Sequence, residues 1–181
     1  AAEVGLEIAL DVNDRPVELR AGLIDAAIRF GVGPYPGLHS TLLKKAELMP
    51  VARPGYGAQG ASIAQLAALP NTTFLTDTTG AQDDTDFSWA HYKDKTGISF
   101  DKDIREIRFD RADLVLQAAI NGMGIGLGRT LLIEGDITQG FLAPVGPAVA
   151  MKSAYWLVCG PDFAGTERYA LLLRWLKSVN K

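Results

Sequence analysis

The alternation of apolar and polar residues along the chain predicts an α/β fold. Leu6, Ile8 and Leu10 alternate with other residues near the N-terminus, which predicts a strand over 4–12. Further short apolar runs bounded by turn residues predict strands over 23–30, 39–43, 47–53, 72–76, 106–109, 125–127 and 153–159. Helical spacing predicts helices over 17–20, 62–69, 87–95, 111–121 and 166–179, with turn-and-helix pieces over 131–133 and 137–140. Because strands and helices alternate, we expect a mostly parallel sheet.

Two loop-like stretches divide this pattern. Regular patterning is lost at Arg53-Pro54-Gly55-Tyr56-Gly57 and again at Val145-Gly146-Pro147. We therefore predict that the chain builds part of a first lobe (1–53), then a second lobe (54–145), and returns to the first (146–181). Such a topology places a cleft between two lobes, and clefts of this type bind small ligands and close by hinge motion.

The composition narrows the classes of function. The chain has 181 residues, 48% of them hydrophobic, which is enough to bury a sizeable core. Its net charge of −3 gives no reason to expect nucleic-acid binding by this segment, since that usually needs a basic face. The single cysteine, Cys159, lies in an apolar run, so we expect a buried residue and a reducing compartment. No apolar run of about 18 residues exists, so no membrane span is predicted.

No motif for catalysis or for cofactor binding stands out. His39 and His91 lie far apart, and no Cys/His cluster has metal-ligand spacing. The alternating glycines over 122–128 follow a predicted helix, whereas a dinucleotide-binding loop follows a strand and opens a helix. We therefore predict no metal, no cofactor and no enzyme, with catalysis by Asp, Arg and Tyr side chains brought together in the fold as the remaining alternative.

Several segments resemble the effector-binding domain of LysR-type transcription regulators. Ile24–Gly31 resembles the D-x-A-I-R-[YF]-G segment of that family, and Gly33–Gly37 extends it as in the branch of glycine-cleavage activators and β-lactamase inducers. Phe109-Asp110 followed by Leu116–Arg129 is similar to the longest pattern of that branch. The segments Ala154–Cys159 and Arg174-Trp175-Leu176 are also similar, so the resemblance covers most of the chain.

The resemblance implies a two-lobed type II periplasmic-binding-protein-like fold with two hinge crossings. It implies a cytoplasmic bacterial regulator whose effector enters the cleft and changes how the domains pair as homodimers or tetramers. Promoter DNA would be contacted through an N-terminal winged helix-turn-helix, which we expect this chain to lack, together with the first strand and helix of the effector domain. The alternative is an extracytoplasmic solute-binding protein for a small organic acid or amino acid, and a related fold also serves some enzymes.

Four candidate ligand residues follow predicted strands of the second lobe. The resemblance implies effector contact at Thr76 and Asp77, although Asp77 is also a natural turn former. Asp110 precedes the predicted helix 111–121, where it would cap the helix or contact the ligand. Arg111 stands where the family often has Ser or Thr, and it would grip a carboxylate or lie in solvent. The positive helix end and this arginine favour a carboxylate-bearing effector.

Four further candidates come from other segments. Arg129 ends the glycine-rich run, where we expect a ligand contact or a hinge role. Gly31 and Tyr35 lie in a loop where glycine permits close approach of the backbone to a ligand and Tyr35 would form a wall of the cleft. Tyr155 begins the returning strand, so its hydroxyl would reach the ligand or its ring would pack in the core. Arg29 is also four residues from Asp25, with which we expect it to pair.

Overall fold

The structure, a computed structural model, consists of strands and helices in alternation, and it describes residues 5–12, 19, 24–57, 60–79, 85–99 and 104–179. The strands in this part of the chain are β1 (Ala26–Gly31), β2 (His39–Ala52), β3 (Thr73–Asp77), β4 (Arg105–Phe109), β5 (Ile125–Arg129), β6 (Ala143–Pro144) and β7 (Val149–Cys159). The helices are α1 (Ile63–Ala67), α2 (Trp89–Thr96), α3 (Ala112–Ile120), α4 (Thr130–Thr138), α5 (Pro161–Ala164) and α6 (Glu167–Val179). None of these helices is long and apolar enough to cross a membrane.

The chain forms two compact units. Unit 1 consists of Ala1–Lys45 and Ser153–Lys181, and unit 2 of Ala46–Lys152. Both passages between the units lie inside long strands, β2 and β7, whereas the sequence analysis placed them at the loops after Arg53 and before Gly146. An extended strand can continue from one unit into the next without a turn, so Gly- and Pro-rich loops do not mark the boundary here.

Unit 1 is built on antiparallel strand pairing. β1 pairs with β7, with Ala26 opposite Cys159 and Gly31 opposite Ala154, and β7 lies beside β2 in the sheet. Side chains of β7 and α6 form its core around Leu157, Cys159, Tyr169 and Leu176. Cys159 is fully buried, as predicted, and this burial raises the pKa of its thiol.

Unit 2 contains the parallel part of the sheet. β3 pairs in parallel with both β4 and β5, while β2 pairs antiparallel with β5 and β6. The expectation of a mostly parallel sheet is therefore wrong. Parallel neighbours need a crossover connection, and the connection between the neighbours β3 and β4 contains α2. Two apolar clusters, one around Phe74 and Tyr92 and the other around Leu75 and Val115, form the core.

The glycine-rich run after α3 serves packing. Gly122 has a φ of 76° and ends the helix, as predicted. A Cβ on Gly124 would meet the carbonyl oxygen of Thr73, and a Cβ on Gly126 would lie 2.9 Å from Cγ1 of Val115. The run therefore lets β3 and α3 approach β5 closely.

The N-terminal elements of the sequence analysis are not seen as predicted. Residues 5–12 belong to no strand, and the side chains of Leu10 and Val12 are 86% and 89% exposed. Alternation alone does not make a strand, because a strand needs a neighbour to pair with. The helix predicted over 17–20 lies outside the described residues apart from Leu19, which is in a turn.

Two other predicted breaks are absent. The strands expected over 39–43 and 47–53 are one strand, β2, because Lys44 and Lys45 continue its extended backbone. The two pieces expected over 131–133 and 137–140 are one helix, α4, which passes through Gly135. A single glycine or a pair of lysines weakens a regular element without ending it.

Candidate functional site

A row of polar residues, Thr76–Thr79, ends β3 in unit 2 and continues beyond it, and it is here named the threonine loop. Its anchor is the end of β4, since Asp77 lies opposite Phe109 in the parallel register. The backbone N–H and the hydroxyl of Thr78 both donate to the carbonyl oxygen of Phe109, at 2.8 and 3.0 Å. The hydroxyl of Thr79 donates to the carbonyl oxygen of Asp110 at 2.8 Å. These bonds fix the loop at the carboxyl edge of the parallel strands, where α/β proteins bind ligands.

The hydroxyl of Thr76 is hydrogen-bonded to the carboxylate of Glu106, a residue that was not predicted from the sequence. Its hydroxyl donates to Oε1 of Glu106 at 2.7 Å, and Nε of Arg108 donates to Oε2 at 2.9 Å. The Thr76 hydrogen bond first, and then Arg108, hold the pKa of Glu106 below its usual value. Thr76 lies opposite Arg108 in the strand register. Only that register brings these residues together, and no local pattern in the sequence reports it.

The two aspartates of this region differ from one another in role. Asp77 forms a turn, since its Oδ1 accepts a hydrogen bond from the backbone N–H of Thr79 at 2.9 Å. The expected capping by Asp110 is wrong, because the N-cap of α3 is Arg111, whose side chain makes no capping hydrogen bond. Asp110 lies one position too early, where its carbonyl instead receives the Thr79 hydroxyl. Both residues nevertheless lie at the same carboxyl edge.

Arg111 pairs with a carboxylate of its own helix. Its Nε and Nη2 donate to Oδ1 and Oδ2 of Asp113 at 2.9 and 3.1 Å. The hydrogen bonds from Arg111 lower the pKa of Asp113, aided by the charge of Arg111 and by the backbone N–H groups of Asp113 and Leu114, and burial opposes this shift. The bidentate grip predicted for a ligand carboxylate is thus occupied by Asp113.

A small recess opens beside the threonine loop. It is lined by Leu75, Thr76, Asp77, Phe87, Ser88, Trp89, Val115 and Leu127. The indole N–H of Trp89 donates to the carbonyl oxygen of Leu75 at 3.0 Å, which fixes the ring against β3. The guanidinium of Arg129 lies 5.4 Å from the centre of the Phe87 ring. Strand ends, aromatic rings and a cation therefore meet at one place in unit 2.

The remaining candidates, all in unit 1, lie close to one another. A Cβ on Gly31 would be 2.8 Å from the Tyr35 hydroxyl, so glycine is needed for this approach. The guanidinium of Arg29 lies 5.1 Å from the centre of the Tyr35 ring, and the pKa of Tyr35 is raised by burial more than Arg29 lowers it. Tyr155 is buried, with its ring 5.1 Å from that of Phe30.

The expected pairing of Asp25 with Arg29 is wrong. Asp25 accepts a hydrogen bond from Nη2 of Arg168 at 3.1 Å, while Arg29 stacks on Tyr35. Residues four apart in extended backbone are separated by roughly 13 Å, whereas a helix brings them together. The i, i+4 rule does not apply to a strand.

A polar cluster in unit 1 was also missed. The hydroxyl of Thr41 lies 2.6 Å from that of Tyr169, and Nε2 of His39 lies 3.1 Å from the Tyr169 hydroxyl. His39 and Thr41 alternate on β2, so period-two spacing was the one available signal. Among the described residues, no group of three His, Cys, Asp or Glu side chains is placed to hold a metal ion.

Comparison with known proteins decides the family. The model of the LysR substrate binding domain matches residues 2–181. The chain belongs to this family. The family predicted from the sequence is thus confirmed, and so is the two-lobed α/β fold class, through the match and the structural likeness described next.

This LysR substrate-binding domain is similar to transcription regulators of Escherichia coli K12. It is 27% identical to the glycine cleavage system transcriptional activator over 177 residues, covering 97% of this chain and 56% of that protein. It is 36% identical to the HTH-type transcriptional regulator DsdC over 176 residues, covering 93% and 54%. The chain therefore spans about half the length of the curated relatives it matches. These relatives are regulators and not enzymes.

The solved structures show the same fold. The AmpR effector binding domain from Citrobacter freundii superposes with a TM-score of 0.70 at 19% identity, covering 91% of this chain and 78% of that one. At this identity the likeness concerns the fold alone.

Proposed function

We propose that this domain is the effector-sensing part of a bacterial transcription regulator and not an enzyme. The match of the LysR substrate-binding domain over residues 2–181 carries the proposal. One relative is named as an HTH-type regulator. We accordingly propose that promoter DNA is contacted by a helix-turn-helix outside this domain, that the regulator is a homodimer or tetramer, and that it acts in the cytoplasm.

The proposed effector is a small carboxylate-bearing molecule, and in unit 2 it binds in the recess beside the threonine loop. Arg129 is the proposed carboxylate partner there, because its guanidinium lies 5.4 Å from the centre of the Phe87 ring at the wall of the recess, and a planar guanidinium can bind a carboxylate in bidentate fashion. A carboxylate that used the Nε and Nη2 edge of Arg111 would have to displace Asp113. We also propose Asp110 as a contact for the part of the ligand near the start of α3.

In unit 1 we propose Gly31, Tyr35 and Tyr155 as effector contacts. Gly31 leaves room for the Tyr35 hydroxyl, and the loop between them is held by Ser40, whose Oγ accepts from the Tyr35 backbone N–H at 3.2 Å. A tyrosine presents an apolar ring and a polar tip, which suits a ligand of mixed polarity. These contacts are tested by variants of their own.

A thermal-shift screen of the 181-residue chain tests the proposal. The compounds are amino acids of both hands, organic acids and cell-wall peptides. A ligand that binds only the native state raises the melting temperature with its concentration, by about 2.7 kcal/mol of stability at 100 times Kd. We expect a shift confined to one chemical class.

Variants then locate the site. Arg129→Gln, Thr76→Val and Tyr155→Phe should each reduce the shift, while Arg168→Gln should preserve it, since Arg168 forms an exposed ion pair with Asp25. If no class shifts the melting temperature, effector sensing by this domain is refuted. If a shift survives all three site variants, the placement of the site is wrong.

A further inference from the structure

Each hydroxyl group of the threonine loop already donates its hydrogen, so it can only accept a further hydrogen bond. A threonine hydroxyl carries one hydrogen and can accept further bonds. In the loop each hydrogen goes to an oxygen that can only accept: the Glu106 carboxylate and the carbonyl oxygens of Phe109 and Asp110. The carboxylate is ionised at neutral pH, because its pKa is lowered. A ligand group that contacts Thr76 must therefore bring its own donor.

The negative charge at the carboxyl edge of the parallel strands also favours a ligand group that carries hydrogen-bond donors. Asp77 is one of the residues that line the recess, and of its two carboxylate oxygens Oδ1 accepts the hydrogen bond from the Thr79 backbone N–H. The neighbouring arginines are paired with other carboxylates, Arg108 with Glu106 and Arg111 with Asp113. Within the described part of the chain no cation lies within 4.0 Å of the Asp77 carboxylate. The Asp77 side of the recess thus carries a negative charge, while the Arg129 guanidinium lies at its Phe87 side.

The aromatic wall suits a positive charge as well. Phe87 and Trp89 line the recess, and the Arg129 guanidinium already lies 5.4 Å from the centre of the Phe87 ring. Aromatic faces attract cations, and acceptor oxygens nearby complete the coordination of an ammonium group. An apolar or purely anionic group placed here would leave the Asp77 carboxylate without compensation.

From these three observations we propose that Thr76, Asp77 and the aromatic wall bind an ammonium group of the effector. Since the proposed function supplies a carboxylate at Arg129, the effector is then a small zwitterion of the α-amino-acid type and not a plain organic acid. This inference rests on the proposed function. It goes further by fixing which end of the ligand the threonine loop recognises.

Methylammonium is the probe, because it carries the ammonium group and nothing else that could be recognised. The ¹H–¹⁵N NMR spectrum of the 181-residue chain is followed during titration with methylammonium chloride, with sodium acetate and with sodium chloride at equal ionic strength. We expect saturable shifts at the amides of the threonine loop and at the Trp89 indole with methylammonium alone.

Asp77→Asn is the decisive variant, since the Asn oxygen can still accept the Thr79 hydrogen bond while the charge is lost. It should weaken methylammonium binding roughly ten-fold, the effect of one charge-assisted hydrogen bond. Asp94→Asn, an exposed carboxylate on α2, is the matched control and should change nothing. Thr76→Val provides a second site variant that keeps all charges and should weaken binding several-fold.

The outcomes separate this inference from the proposed function. No saturable shift with methylammonium, or a shift that Asp77→Asn leaves unchanged, overturns the ammonium site. An effector found in the thermal screen that lacks a cationic nitrogen also overturns it, while effector sensing stands. Methylammonium binding without any effector from the screen supports the ammonium site and removes the support for sensing.

Discussion

Arg111 and Asp113 form a bidentate ion pair at the start of α3, with N···O distances of 2.9 and 3.1 Å. The two residues are two positions apart, so the pair closes locally and needs no other element. A site that the sequence suggests for a ligand carboxylate therefore already holds one from the protein. A ligand carboxylate that binds the same edge of Arg111 must compete with Asp113, which the chain itself holds beside the guanidinium.

Removing the arginine should be visible in the titration of Asp113. In Arg111→Ala the pKa of Asp113 should rise toward its ordinary value of 3.8, because the hydrogen bonds and the charge that favour the carboxylate are lost. Carboxyl-carbon NMR titration measures this, with Arg168→Ala as the control. An unchanged Asp113 titration in Arg111→Ala would contradict the pairing.

The same pair predicts a small dependence of stability on pH. A depressed folded-state pKa stabilises the fold above the unfolded-state pKa, and this contribution is lost as the pH falls through the folded-state value. The stability difference between the wild type and Arg111→Ala should thus persist at neutral pH and vanish in acid. Because both side chains are more than half exposed, we expect less than about 1 kcal/mol. Urea unfolding at several pH values checks it.

Thr76 controls the ionisation of Glu106. Thr76→Val removes the hydroxyl that is the largest cause of the lowered Glu106 pKa, so this pKa should rise, whereas Thr76→Ser should keep it low. Carboxyl-carbon NMR titration of Glu106 in both variants makes the comparison. Equal Glu106 values in Val and Ser variants would show that Arg108 alone sets the ionisation.

The close approach of β3 to β5 depends on Gly124. In Gly124→Ala the added carbon meets the Thr73 carbonyl oxygen, which is backbone and cannot turn away, so we expect a loss of about 1–3 kcal/mol. Gly135→Ala in α4 is the control, because nothing lies within 4 Å of its added carbon. It should stabilise the fold by roughly 0.5–1 kcal/mol. The changes in melting temperature caused by the two substitutions should therefore have opposite signs.

Thr41 and Tyr169 should be energetically coupled. A double-mutant cycle of Thr41→Val and Tyr169→Phe removes the 2.6 Å hydrogen bond from either side while keeping the shape of each side chain. We expect a coupling free energy of about 0.5–1.5 kcal/mol in urea unfolding. Strict additivity of the two single changes would refute the bond.

Local chemistry made several elements predictable. Helix α3 was found because its apolar spacing ends at Gly122, which takes a left-handed conformation. α2 was found because Trp89 and Tyr92 share a face, and their ring centres are indeed 5.9 Å apart. By contrast β2 was divided in two, since Lys44 and Lys45 look like a break unless the strand's neighbours are known.

The residues of the candidate site were likewise predicted only in part. Thr76, Asp77 and Arg129 were predicted from their positions at strand ends and from the family resemblance, and the described contacts bring the first two to the recess and Arg129 to its Phe87 wall. Glu106 was not predicted, because its bond to Thr76 depends on the register of two strands about thirty positions apart. Asp113 was not among the predicted site residues either, although it is the partner of Arg111.

The sequence by itself determined the family, the α/β class and most helices and strands. These features depend on apolar periodicity, on glycines that end helices and on extended motifs, all of which involve residues close together along the chain. Only the tertiary structure decided which strands pair in parallel, where the chain passes between its units, and which hydroxyl hydrogens are already committed. The physical reason is that hydrogen-bond partners and charge pairs are chosen by distance in space. Thr76 and Glu106 lie thirty positions apart along the chain and 2.7 Å apart in the fold.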